Sequence, residues 1–329
     1  MNHVLFSLIA AWIMGIVAVW ALIPLLVRLK FGQNIRGEGP KQHLKKSGTP
    51  TMGGIAFIVV LFIAMLLFGP YDESTLIVTG ITILYGLLGF CDDFIKTVKK
   101  RNLGLRAYQK MLGEIAIAAL LIYAAVEVLG RGTSLHIPGA GFVELGIGYY
   151  VLAFVLIAGV TNGVNLNDGL DGLAAGVSFF VYLGYAMIAN WCVEHPPFPS
   201  VNYGTLTVFA AVMAGICLAF LFFNHHPAKV FMGDTGSLFL GGGLAVLSIL
   251  TGTELLLIVI GGVYVIEALS VIIQVTSFKL TGKRVFRMTP IHHHFEQLGW
   301  KETKVVVMFW LMAVVCVGLG LLLFFTFFA

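Results

Sequence analysis

Two adjacent carboxylates, those of Asp92 and Asp93, come at the end of an apolar run in the segment GLLGFCDDFIKTVKK. Adjacent carboxylates repel each other, and water screens that repulsion poorly near an apolar boundary. A divalent cation, a shared proton or a cationic ligand would relieve it. A simpler interpretation pairs Asp92 with Lys96, one helical turn later, and leaves Asp93 facing water. The pair alone leaves both interpretations open.

A second polar group lies in residues 161–176, TNGVNLNDGLDGLAAG, which include two acids and no lysine or arginine. Asn165, Asp168 and Asp171 recur every three residues, so on a helix they would share an arc of about 120°. The pattern favours a segment that binds cations or hydroxyl-rich ligands. Asparagine, aspartate and glycine are also ordinary residues of helix caps and turns, which is the alternative.

Asp234 lies in NHHPAKVFMGDTGS, residues 224–237, just before a further apolar run. It could simply cap the N-terminus of the next helix. A helix N-terminus also attracts anions, and a carboxylate there can hold a Mg²⁺ ion that bridges to a phosphate. Phe231 is an aromatic residue beside this candidate site, and packing against lipid or core is its alternative role.

Three consecutive histidines, His292, His293 and His294, lie in the segment MTPIHHHFEQLGW. They cannot all face one metal ion from a regular helix, so a zinc site is a weak interpretation. Near phosphates, one imidazole is better suited to donate a hydrogen bond or to exchange a proton. A solvated surface tract is the alternative.

Two lysines flank the candidate site residues: Lys46 precedes the turn GTPTMGG, and Lys110 begins a later apolar run. The turn lacks the GxxxxGK[ST] pattern of a phosphate-binding P-loop. Both lysines are suited to hold phosphate oxygens as point charges. Membrane topology alone would also place lysines at these positions.

The elements that carry these residues are expected to be membrane-spanning helices. Of the 329 residues, 59% are hydrophobic and 11% are charged, whereas an average soluble domain has about 25% charged residues. This composition excludes a soluble enzyme, a disordered chain and a disulfide-stapled module. A span needs about 20 apolar residues. We therefore predict an all-α polytopic membrane protein, with residues 1–329 in a single domain and ten spans at 4–27, 53–69, 75–91, 111–129, 147–161, 173–191, 204–223, 235–251, 254–277 and 304–327.

The basic residues predict the orientation of these spans. Of the 20 lysines and arginines, 19 fall on odd-numbered connections or their edges, and Arg131 is the exception. Positive residues concentrate on cytoplasmic connections. We therefore expect the odd connections, and with them the candidate site residues, on the cytoplasmic side, and both termini outside the cytoplasm. This topology and attraction to anionic lipid headgroups are sufficient to explain the net charge of +4. The charge therefore does not require a nucleic-acid partner.

Glu267 stands apart from the other acids, near the middle of the ninth predicted span. Burying a charge in lipid costs several kcal/mol, so an intramembrane carboxylate is a functional candidate by default. That span contains no basic partner for it, and the sequence assigns it no role.

Five motifs together, CDDFIK, NLNDGLDGL, FMGDTGS, PIHHHFE and GTPTMGG, closely resemble the phospho-N-acetylmuramoyl-pentapeptide-transferases (translocase I). These enzymes form one family of the polyprenyl-phosphate N-acetylhexosamine-1-phosphate transferase superfamily. The resemblance covers the whole chain, with the motifs in the expected order. The histidine triplet and the GTPTMGG turn favour this family over its sister enzymes, which use UDP-N-acetylglucosamine.

The resemblance implies a reaction and a setting. Undecaprenyl phosphate would attack the β-phosphate of UDP-N-acetylmuramoyl-pentapeptide, with Mg²⁺ required, giving UMP and lipid I for peptidoglycan synthesis. The site would face the cytoplasm from the bacterial plasma membrane. The resemblance further implies a homodimer, a broken ninth helix that leans into lipid, and binding of the nucleoside inhibitors of the family.

Carried over by motif, the resemblance gives Asp92, Asp93, Asp234, His292 and His293 catalytic roles. Asp234 would be the principal Mg²⁺ ligand, and Asp92, Asp93 and Asp168 are further candidate ligands. Direct in-line attack, with Asp92 assisting any residual deprotonation, is one mechanism. Double displacement through an aspartyl-phosphate is the other, and the sequence does not choose between them.

The remaining residues that the motifs supply would contact the substrates. Phe231 would lie by the uracil, Lys46 near the uridine and Lys110 near the diphosphate. The whole predicted substrate-binding set is Lys46, Thr51, Lys110, Asn165, Asp168, Asp171, Phe231 and His294. A transporter of a nucleotide-linked solute is a rival class, but its site would lie near the midplane within repeated halves. A purely structural scaffold gives no reason for unneutralised acids at span ends.

Overall fold

The computed structural model describes residues 2–29, 48–99 and 104–328, and this part of the chain is predominantly helical. The helices are α1 (Asn2–Arg28), α2 (Gly54–Phe68), α3 (Glu73–Val98), α4 (Ala107–Tyr123, continued by a π-helical turn at Ala124–Val128), α5 (Ile147–Asn167), α6 (Leu173–Cys192), α7 (Tyr203–Asn224), α8 (Gly233–Thr251), α9 (Glu254–Ile260), α10 (Gly262–Thr281), α11 (Ile291–Gln297) and α12 (Glu302–Phe327).

Nine helices in the described residues are long and apolar enough to cross a membrane, which confirms the polytopic helical class. The second predicted span coincides with α2, which has only 15 residues. At a rise of 1.5 Å per residue it is about 22 Å long, shorter than the hydrocarbon core of roughly 30 Å. The count of ten spans and the side on which the termini lie therefore stay predictions.

The ninth predicted span is divided in two. Residues 254–277 form the short helix α9 and the long helix α10, which are separated at Gly261. Gly261 and Gly262 are adjacent, and such glycine pairs are common points of helix interruption because they add no side-chain packing and restrict the backbone little. The break implied by the resemblance is therefore present.

Glycine allows the helices around α8 to approach closely. A Cβ atom at Gly89 of α3 would overlap the backbone carbonyl of Asp234, and one at Gly241 of α8 would lie 2.6 Å from the Cα atom of Thr161. Small residues at helix contacts let backbones come together where lipid provides no hydrophobic drive. Helix α8 is almost wholly buried, so α3 and α5 hold its N-terminus, with Asp234, at a fixed place.

One element departs from the all-α prediction. Residues Ser134–Ile137 (β1) and Gly141–Glu144 (β2) form an antiparallel hairpin, with Leu135 opposite Val143. The sequence predicts only a connection here, because four-residue strands give too short an alternation to stand out from a loop.

The hairpin lies next to a buried ion pair. A guanidinium nitrogen of Arg131 lies 3.0 Å from Oε1 of Glu254, with both side chains inaccessible to solvent. The Tyr149 hydroxyl donates to the same oxygen at 2.7 Å. The guanidinium carbon is 4.4 Å from the Tyr149 ring centre and 4.5 Å from that of Phe198. The one arginine that breaks the charge asymmetry is thus neutralised by Glu254, the first residue of α9.

We expect Arg131→Gln to lower the free energy of unfolding by about 3–5 kcal/mol, because it leaves the Glu254 carboxylate buried without its counter-charge. Denaturation of the detergent-purified protein, followed by tryptophan fluorescence, measures the loss. The control is the double variant Arg131→Met with Glu254→Leu, which removes both charges and should lose less. Equal losses in the single and double variants would contradict this explanation.

Candidate active site

Three carboxylates meet where the end of α3 approaches the start of α8. Asp92, Asp93 and Asp234 each offer one oxygen atom, and these atoms lie within 4.8 Å of one another. The backbone N–H of Leu105 donates to Asp92 at 2.7 Å. The backbone N–H and the hydroxyl of Thr235 donate to Asp93 at 2.9 and 2.7 Å. The sequence therefore predicted the grouping of these three acids correctly.

Two lysines neutralise most of this charge. The ammonium group of Lys96 contacts Asp92, lies 3.7 Å from Asp93 and lies 2.9 Å from Asp234. That of Lys110 lies 3.1 Å from Asp234. Three carboxylates and two ammonium groups leave the cluster with one net negative charge, which a cation can balance. Carboxylate oxygens are also the ligands that Mg²⁺ prefers. The residues present fit a magnesium site.

Lys96 is a member of the cluster that the sequence did not single out. From the sequence, an ion pair between Lys96 and Asp92 is the alternative to a functional site. The structure contains this ion pair, and the pair is part of the cluster. The same alternative expects Asp93 to face water, and this is wrong. Asp93 is 5% exposed and accepts a hydrogen bond from Thr235. The spacing of Lys96, three and four residues after the two acids, was the available signal.

Asn165 joins the cluster from the last turn of α5. Its amide nitrogen donates to Asp234 at 2.9 Å and to the Ser237 hydroxyl at 2.7 Å. Asp168 follows as the C-cap of α5. Desolvation, reinforced by the nearby carboxylates of Asp234 and Asp93, raises the pKa of Asp168 to about 8. The nearby carboxylates therefore disfavour the ionised form of Asp168, and a cation bound among them would relieve this repulsion.

The structure has the cap-and-turn alternative for this segment, so Asn165, Asp168 and Asp171 do not share one helical face. Helix α5 ends at Asn167, and the chain turns until α6 begins at Leu173. Asp171 is buried in this turn and lies 2.9 Å from a ring nitrogen of His226 and 3.1 Å from the backbone nitrogen of Ala228. The carboxylate is held in this second polar group rather than beside Asp234.

The GTPTMGG turn is fastened to the loop that precedes α8. Phe231 donates its backbone N–H to Pro50 at 2.8 Å and accepts from Gly53 at 2.9 Å. A Cβ atom at Gly233, whose φ is +71°, would overlap the Asp93 carboxylate and lie 3.2 Å from the Thr51 hydroxyl oxygen. Thr51 and the partly exposed Phe231 therefore border the cluster. Lys46 lies outside the described residues.

The three histidines have three different partners. His292 is buried, and its Nδ1 lies 2.9 Å from Oε1 of Glu267. His293 lies 2.7 Å from Glu296, and His294 accepts the backbone N–H of Arg287 at 3.1 Å. The three side chains thus have different polar partners, although the rings of His292 and His293 lie 4.2 Å apart between their centres.

His292 is the histidine directed at the turn after α5. Its Nε2 has no hydrogen-bond partner among the described residues, and a Cβ atom at Gly169 would overlap that nitrogen. Glu267 on α10 fixes the ring from the other side. The ninth predicted span offers Glu267 no partner, because the partner lies 25 residues away on α11.

A helical membrane protein with a partly buried cluster of carboxylates and lysines at its helix ends is suited to chemistry on charged phosphates. The model of glycosyl transferase family 4 matches residues 75–252, and a signature of phospho-N-acetylmuramoyl-pentapeptide-transferase matches residues 46–58.

Proteins with that name include relatives from Heliobacterium modesticaldum, 52% identical over 98% of both chains, and Desulfitobacterium hafniense, 53% identical over 92% of this chain and 91% of the relative. A third is from Bacillus subtilis, 45% identical over 97% of both chains. The chain belongs to the phospho-N-acetylmuramoyl-pentapeptide-transferase family, and it is accordingly a phosphoglycosyl transferase.

We expect Glu267→Gln to lower kcat about 10- to 100-fold, the range found when a carboxylate that orients a metal-bound histidine is replaced. Steady-state turnover of the detergent-purified enzyme measures the effect. His292→Ala should lose at least as much, and adding Glu267→Gln to it should cost nothing further if the two residues act as a unit. Multiplying losses in the double variant would show that Glu267 acts independently of His292.

Proposed function

We propose that this enzyme transfers phospho-N-acetylmuramoyl-pentapeptide from its UDP derivative to undecaprenyl phosphate. The products are UMP and lipid I, which serves peptidoglycan synthesis, and the reaction depends on Mg²⁺. The names of the relatives support the proposed donor, since they specify phospho-N-acetylmuramoyl-pentapeptide as the transferred group. The observation that carries the proposal is the cluster of Asp92, Asp93 and Asp234 around Lys96 and Lys110.

The chemistry of the substrates explains why such a cluster is suitable. A phosphate monoester is already largely ionised at neutral pH, so its attack on a diphosphate needs little help from a base. The main obstacle is the repulsion between two anionic phosphates, which must be held in line. Fixed positive groups that stabilise the charge of the transition state lower this barrier most.

The residues of the cluster can divide this task. Asp234 would hold Mg²⁺ together with Asp92 and Asp93, and the ion would offset charge on the diphosphate. The side chains of Lys96 and Lys110 are 34% and 20% exposed, so their ammonium groups can reach phosphate oxygens. Asn165 orients Asp234 through its amide, and Phe231 and Thr51 border the space available to the nucleotide.

Direct in-line attack is the mechanism that the contacts favour. Asp93 accepts two hydrogen bonds from Thr235 on one oxygen and is almost inaccessible to solvent. Asp92 is tied to Lys96 and to the backbone of Leu105. A carboxylate held in this way is a poor nucleophile, so an aspartyl-phosphate is less favoured. Asp92 would take up any residual proton of the acceptor.

Charge asymmetry supports the membrane setting of the proposal. With 19 of the 20 basic residues on odd connections, the site faces the cytoplasm from the bacterial plasma membrane, and ten spans place both termini outside. A homodimer and inhibition by the nucleoside inhibitors of the family, bound in place of the donor nucleotide, belong to the same proposal.

Donor preference tests the proposed function. We expect purified enzyme in detergent, with undecaprenyl phosphate and Mg²⁺, to release UMP from UDP-N-acetylmuramoyl-pentapeptide at least about 100 times faster than from UDP-N-acetylglucosamine. A site that hydrogen-bonds groups of one donor rejects a donor lacking them by large factors. The opposite preference would indicate a sister transferase, and absence of UMP release from either donor would favour a transporter.

Asp234→Asn tests the metal assignment. We expect it to abolish both turnover and the Mg²⁺-dependent part of nucleotide binding, because it removes the carboxylate shared by Lys96, Lys110 and Asn165. Calorimetry with the donor, with and without Mg²⁺, measures the binding. Asp72→Asn is the matched control, since Asp72 caps the opposite end of α3 through the Thr75 N–H and an asparagine caps equally well. Retained Mg²⁺-dependent turnover would remove Asp234 from the metal site.

A further inference from the structure

A second group of ligating side chains lies apart from the catalytic cluster. Asp171 comes from the turn after α5, His226 from the segment between α7 and α8, and Glu302 is the first residue of α12. The Nδ1 atom of His226 lies 2.9 Å from Oδ2 of Asp171 and 3.4 Å from Oε2 of Glu302. One ligand atom from each of the three residues lies within 4.8 Å of the others.

The surrounding backbone holds the two carboxylates in place. The Asp171 N–H donates to Oε1 of Glu302 at 2.8 Å, which leaves the other oxygen of Glu302 directed at His226. The Ala228 N–H donates to Asp171 at 3.1 Å. The side chains of Asp171 and Glu302 are 1% and 8% exposed. The two carboxylates thus bring oxygen atoms within 4.8 Å of each other and of the His226 nitrogen, an arrangement that a bound cation would stabilise.

The arrangement of the three atoms matches the ligands of a metal ion. Oxygen and nitrogen ligands about 2.0–2.2 Å from one ion lie about 3.0–3.5 Å from each other, and the two measured separations fall close to this range. One imidazole with two carboxylates suits transition metals such as Zn²⁺ or Mn²⁺ better than Mg²⁺, which prefers oxygen ligands. His226 is 41% exposed, so an ion can enter and keep water ligands.

We propose that Asp171, His226 and Glu302 form a second divalent cation site, of the transition-metal class, whose role is structural. An ion there would tie the turn that carries Asp168 to the segment leading to Asp234 and to the start of α12. The site would thereby fix the geometry of the catalytic cluster without contacting the reacting groups. This inference does not depend on the identity of the donor or acceptor.

Cobalt binding tests the proposal. The whole chain in detergent is stripped with a chelator and titrated with Co²⁺, whose visible absorption reports nitrogen and oxygen coordination. The background is Asp234→Asn, which disables the catalytic metal site. We expect one saturable Co²⁺ site in this background, and we expect His226→Gln to weaken it at least about tenfold. His225→Gln is the matched control, since His225 is the exposed neighbour whose Nδ1 lies 3.2 Å from the Leu221 carbonyl oxygen.

A second measurement separates a metal site from a protonated histidine. Zn²⁺ should raise the thermal unfolding temperature of Asp234→Asn, since an ion that binds only the folded chain stabilises it. It should not do so when His226→Gln is added. Glu302→Gln serves in the same way if the histidine variant does not fold. Unchanged Co²⁺ affinity in both variants, or no saturable site in the Asp234→Asn background, would overturn the proposal and leave an imidazolium between two carboxylates.

Discussion

Three carboxylates within one small space would repel each other strongly, and the architecture depends on how this repulsion is balanced. The ammonium group of Lys96 is central, because it touches acids from two helices at once. The contact requires α3 and α8 to lie nearly backbone to backbone, which Gly89 permits. The close packing of these helices and the charge balance of the cluster therefore support each other.

The turn between α5 and α6 connects this cluster to the rest of the chain. Within five residues it presents Asp168 to the carboxylates, Gly169 to the ring of His292, and Asp171 to His226 and Glu302. A left-handed residue, Gly172 with φ of +79°, ends the turn at the start of α6. Segments that are distant in sequence are therefore fixed relative to one another through a few backbone positions.

The sequence was sufficient for the features that depend on local composition. Apolar runs located the helices, and the position of Asp92, Asp93 and Asp234 at the ends of those runs predicted their grouping. The sequence was insufficient for the features that are determined by contacts between residues far apart in the chain. The periodicity of Asn165, Asp168 and Asp171 assumed a helix that in fact ends at Asn167. The partner of Glu267 lies on another helix, and the roles of Lys96 and Asp171 depend on which segments pack against them.

The position of the cluster at the ends of two spans has a consequence for kinetics. The ends of membrane-crossing helices lie at the level of the lipid headgroups, which is also where the phosphate of the proposed acceptor resides. The acceptor can therefore reach the enzyme by lateral diffusion, with its polyprenyl tail still among the other lipids. Its effective concentration is then a number per unit area of membrane, so the encounter is a search in two dimensions, whereas the nucleotide donor arrives from a volume of water.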